Sequence, residues 1–100
     1  MKLKELIDYT PKGVTDKTVI NNESGMAMIL AVDKGAAIAT HSAHADVFVQ
    51  IIEGVCDFTV AGETHRLTTG EYIIMKPDTP HSLNAPEPFK ALVTKFNVQH

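Results

Sequence analysis

Residues 40–54 read THSAHADVFVQIIEG. Two histidines and an aspartate occupy the first half, and an apolar run closed by Glu53 and Gly54 occupies the second. An extended strand turns successive side chains to opposite faces. From Val47 onward, one face carries Val47, Val49 and Ile51, and the other carries Phe48, Gln50 and Ile52. Both faces are mostly apolar, so each needs cover. A protein interior supplies one cover. The simplest second cover is another copy of the chain, which predicts a homodimer, and a chain terminus or loop is the alternative.

The pattern repeats outward from this stretch. KTVI leads to NNESG, MAMILAV to DKG, AAIAT into HSAHAD, CDFTV to AGE, HRL to TTGE and YIIM to KPDTP, and the chain closes with FKALVTKFNV. Short runs rich in β-branched and aromatic residues, each ended by a turn signal, predict an all-β sandwich or barrel. AGE at residues 61–63 reads as a hairpin turn. KPDTP carries Pro77 and Pro80, so it cannot lie inside a central strand. Leu3, Leu6 and Ile7 are spaced for one turn of helix, although a strand accommodates them too.

With 100 residues the chain is sized for one domain. Residues 1–16 form an N-terminal arm or edge strand and residues 17–98 the barrel. The apolar fraction of 44% fits a packed core rather than a disordered chain. The formal net charge is −3, and the lysines and arginines are scattered singly. That excludes the clustered cations of a nucleic-acid-binding surface. No apolar stretch reaches membrane-span length, and the start MKLKELIDY lacks a secretory core. The single cysteine, Cys56, reads as a small buried residue, and a cytoplasmic location is expected.

Two motifs then carry a resemblance. GEYIIMKPDTPHSLN runs from Gly70 through Pro77 to His81 and Asn84. It resembles the second motif of small single-domain cupins of the conserved-barrel type. The first motif of that family has two histidines one residue apart, then a glutamate, then a glycine after a strand. Counting back from Gly54, His41 holds the first histidine position. Ala43 stands at the second and Val47 at the glutamate. HSAHAD also resembles a subgroup of very small cupins that read His-Ser-Ala-Pro-x-Asp. The resemblance implies a jelly-roll barrel with a pocket between its sheets.

The resemblance also implies a divalent metal site, with zinc, nickel, iron or manganese held by histidines and a carboxylate. His41 and His81 keep their places in that set. His44 and Asp46, each one position from a lost ligand, are the candidates to complete it. On an extended strand His44 points away from His41, although a bend would relax that parity. Asp46 also suits the cap of a turn. Ala43, Val47 and Val49 are then pocket residues, and the first two make the pocket more apolar. His65, near the hairpin, reads as a sheet or surface histidine. Three functions follow as expectations. The first is a small-molecule-binding cupin with a metal on His41 and His81. The second is a metal-free ligand-binding or sensing module. The third is a metal-dependent oxygenase or isomerase.

Overall fold

The computed structural model describes residues 1–97; Val98 and His100 lie outside the described residues. Eight antiparallel strands follow one 3-10 turn at Leu3–Glu5. They are β1 (Val14–Asn22), β2 (Gly25–Val32), β3 (Ala37–His41), β4 (Ala45–Val60), β5 (Glu63–Thr68), β6 (Tyr72–Met75), β7 (His81–Asn84) and β8 (Phe89–Asn97). One sheet runs β1-β2-β8-β4-β6 and the other β3-β7-β4-β5. The core lies between them, as in an all-β barrel.

β4 belongs to both sheets, and this differs from the sequence reading. VFVQII and CDFTV form one strand rather than two. Ala45–Gly54 pairs with β8, and Val55–Val60 pairs with β5. The register slips between Ile51 and Glu53, and Gly54 has φ +88°. A bulge and a left-handed glycine bend the strand without ending it. The turn at Ala61 and Gly62 falls where AGE predicts it. Both residues have positive φ, as a two-residue hairpin requires. Lys76–Pro80 carries no strand, which agrees with its prolines.

Alternation builds the core. Ala45, Val47, Val49 and Ile51 of β4 are buried in alternate positions, and so are Phe89, Ala91 and Val93 of β8. They meet Cys56, Phe58, Leu67 and Leu83 from the other sheet. Burying each large side chain stabilises the fold by about 1.5–3 kcal/mol.

The outer face of the first sheet has two parts. The N-terminal arm covers one, where Ile7 and Tyr9 pack on Ile29, Ala31 and Ile52. The Tyr9 hydroxyl donates to Glu53 at 2.6 Å, and Lys90 donates to the Lys4 carbonyl. A terminus therefore supplies part of the second cover. Tyr72, Ile74 and Phe96 remain exposed on the other part.

Candidate functional site

Two histidines converge between the sheets. His41 ends β3, His81 begins β7, and the two are direct partners across the strand pair. Their ring centroids lie 4.2 Å apart. His81 is buried and stacks on Phe58 at 5.8 Å with the rings tilted only 12°. His41 is exposed at the rim.

Their hydrogen bonds define the chemistry they present. The Nδ1–H of His41 donates to the Ala39 carbonyl at 3.0 Å, and that of His81 to the Thr79 carbonyl at 2.9 Å. A carbonyl only accepts, so Nδ1 must carry the hydrogen. In the neutral ring Nε2 is then the acceptor. Neither Nε2 has a hydrogen-bond partner among the described residues.

Both rings line a cavity of about 140 Å³ between the sheets. Val47, Val49, Met75, Phe58 and Leu83 make its walls apolar, and Asp16 and Lys95 also border it. Cys56 lines it as well, fully buried. Burial pushes its thiol up to about 12, with the Asp57 charge adding to the shift. It is a neutral wall residue rather than a nucleophile.

The structure does not bring the other two candidate ligands to this place. His44 has a side chain 93% exposed, and its Nδ1 lies 2.6 Å from an Asp78 carboxylate oxygen. The Asp78 N–H donates to the Ala43 carbonyl, fastening the proline turn to this loop. His44 thus belongs to a surface contact outside the cavity. Asp46 is exposed on β4 between buried Ala45 and Val47, opposite Phe96. Parity decides Asp46, since a strand residue between inward-facing neighbours faces out, while His44 lies in the bend between β3 and β4, where strand alternation does not hold. Ala43 packs against the core beside the cavity but is not in its wall. His65 is an exposed strand residue whose Nε2 lies 3.8 Å from Glu63.

A four-donor metal set is therefore not formed by these residues. Ala43 and Val47 offer no donor atoms, which leaves two imidazoles. Among the described residues no three His, Cys, Asp or Glu side chains are placed to hold one ion.

The family model described as Cupin domain matches residues 28–95. The chain belongs to the cupin family. No curated protein matches it. A conserved protein of unknown function from Streptococcus pyogenes is 26% identical with a TM-score of 0.92, over 100% of this chain and 88% of that one. A cupin superfamily protein from Desulfitobacterium hafniense is 14% identical with a TM-score of 0.93, over 98% and 90% of the two chains. Salicylate 1,2-dioxygenase from Pseudoaminobacter salicylatoxidans is 20% identical with a TM-score of 0.80, over 84% of this chain and 26% of that one. The last two show shared fold alone.

The buried histidine of this cupin gives a pH signature. Desolvation holds His81 below the ordinary histidine value of 6.5. The His41 and Lys95 charges add to the effect, and the Thr79 carbonyl opposes it. The unfolded chain thus binds this proton more readily than the folded one. Stability is highest above the unfolded value, starts to fall near 6.5, and stops falling below the depressed folded value. The urea midpoint is expected to drop between about pH 7.5 and pH 5.5, and to drop less in His81→Gln. Equal drops in both proteins would remove His81 as the cause.

Proposed function

We propose that this cupin binds a small organic molecule in the cavity between its sheets without requiring a metal. The two free Nε2 atoms at the end of an apolar cavity carry the reading. Apolar walls take the body of the ligand, and the imidazoles accept hydrogen bonds from its hydroxyl or N–H group. The volume of about 140 Å³ sets the size. A dry protein cavity of about 150 Å³ admits benzene, so a molecule about one ring in size fits.

A thermal-shift screen of protein purified without an affinity tag tests this. Hydroxylated one-ring compounds are expected to raise the melting temperature equally with and without EDTA. His41→Ala and His81→Ala are expected to reduce the shift. Stabilisation that EDTA abolishes would reject the metal-free reading.

One observation favours a second reading, in which a divalent ion sits on His41 and His81. The Nδ1 bonds to carbonyls are the arrangement that orients histidine ligands. Two imidazoles alone make an exchangeable site, and the ligand would complete it. Elemental analysis decides, since one metal per chain that is lost in His81→Ala would establish it. An oxygenase or isomerase role depends on this second reading.

We also propose that the cupin pairs with a second copy. Strand register aligns Ile20, Ala27, Thr94, Phe48 and Ile74 in one uncharged row across the outer face. Phe48 stacks on Tyr72 at 5.5 Å beside it. An uncharged row is self-complementary under a two-fold axis. Light scattering is expected to give two chains for the native protein and one for Ile74→Lys. A native monomer would leave this face without its partner.

The surroundings proposed for this protein are cytoplasmic, with no nucleic-acid or membrane partner. The lone buried thiol and the scattered cations support that. No described helix is long and apolar enough to cross a membrane.

A further inference from the structure

The cavity wall contains a lysine that the two-histidine site does not explain. On β8 the odd-numbered residues Phe89, Ala91 and Val93 face the interior, and Lys95 continues that series. It stands directly opposite Val47 of β4, and both line the cavity. Val47 occupies the place where the family pattern has a carboxylate. Where the resemblance implies an anion, this chain has an apolar side chain with a cation as its cross-strand neighbour. That cation lies near enough to His81 to depress its proton affinity.

Lys95 differs in its surroundings from the other partly enclosed lysine. The Lys90 ammonium has Glu53 at 3.9 Å, the Tyr9 ring at 5.0 Å and the Lys4 carbonyl. Among the described residues Lys95 has no carboxylate within 4.0 Å and no side-chain hydrogen bond. Asp16 borders the same cavity from β1, two strands away, and does not pair with it. A half-buried cation beside apolar walls is stabilised by an anion brought to it. Asp16 repels that anion from its own side, so the charge has one favoured end.

We propose that Lys95 makes the cavity selective for small hydroxylated organic acids. The carboxylate sits on Lys95, the hydroxyl donates to His41 or His81, and an apolar body about one ring in size spans the space between. This rests on the ligand-binding reading above and adds the substrate class.

Meta-hydroxybenzoate and meta-cresol separate the two claims, because they share ring and hydroxyl and differ in the carboxylate. Each is titrated into the full chain, in EDTA, while amide NMR spectra are followed. Both are expected to shift the amides of Val47, Val49 and Leu83, with the acid binding about tenfold more tightly. Lys95→Met is expected to erase that advantage, so that acid and cresol bind with similar affinity, and Lys95→Arg to retain it. If acid and cresol bind equally, or the advantage survives Lys95→Met, the assignment to Lys95 is wrong while the cavity remains a binding site. If neither compound moves these amides, the binding reading fails and the acid selectivity with it.

Discussion

Gly54→Ala is expected to cost about 3 kcal/mol or more, a large part of the 5–15 kcal/mol that holds a small domain folded. Two effects combine at this position. Its φ of +88° is a conformation that an L side chain enters only with strain. A methyl group there would also collide with the Pro88 carbonyl oxygen and would lie 2.7 Å from the Phe89 Cα. Both obstacles are backbone at the start of β8, beside a fully buried Phe89. Neither yields without moving β8, which lies between β2 and β4 in the first sheet. Gly35 and Gly70 provide the control. They share positive φ, at +84° and +88°, yet a methyl group at either meets nothing within 4 Å. Alanine at those positions is expected to cost about 1 kcal/mol, the conformational part alone. Urea unfolding of the three variants measures the difference. Equal losses at all three would mean that collision with β8 contributes nothing.

The same glycine shows why the strands were legible in the sequence while their connection was not. Apolar runs and turn signals locate β2, β6 and β8, the hairpin at residues 61–62, and the proline turn before His81. Glycine after an apolar run reads as a turn, yet Gly54 bends a strand that continues from one sheet to the other. What distinguishes these outcomes is contact with Pro88 and Phe89, more than thirty residues away. Cover by a terminus stands in the sequence only as an alternative to a second copy. Leu3, Leu6 and Ile7 read as one turn of helix, and only packing on Ile29, Ala31 and Ile52 gives Ile7 and Tyr9 their place. In the site, motif spacing picks out His41 and His81, which the strand pair sets face to face. His44 and Asp46 each lie one position from a missing ligand; alternation turns Asp46 outward, and the bend before β4 leaves His44 at the surface against Asp78. Lys95 gave little sign, since a lysine late in a strand ordinarily faces water. The inward series of Phe89, Ala91 and Val93 was its only trace.

Phe58→Ala is expected to cost about 3–5 kcal/mol, as truncating a buried aromatic side chain does. Phe58 is 1% exposed and stands between His65 on β5 and Leu83 on β7. Its ring both fills the core and supports the stacked face of His81. The loss therefore has a structural and a functional part, and Phe58→Leu separates them. Leucine restores much of the volume and none of the stacking, so most of the stability should return while His81 stays less well held. Volume lost in Phe58→Ala joins an existing cavity of about 140 Å³, because Phe58 is already part of its wall. An apolar cavity enlarged in this way takes up apolar guests. Benzene is accordingly expected to raise the melting temperature of Phe58→Ala more than that of the native chain. Compounds that need a fixed imidazole acceptor should bind Phe58→Ala less well despite the added room. If they bind it as tightly as the native chain, the stack on Phe58 does not position His81. A stability loss below about 1 kcal/mol would mean instead that the two sheets close over the vacated space, since the cost of such a truncation depends on how far the site can collapse.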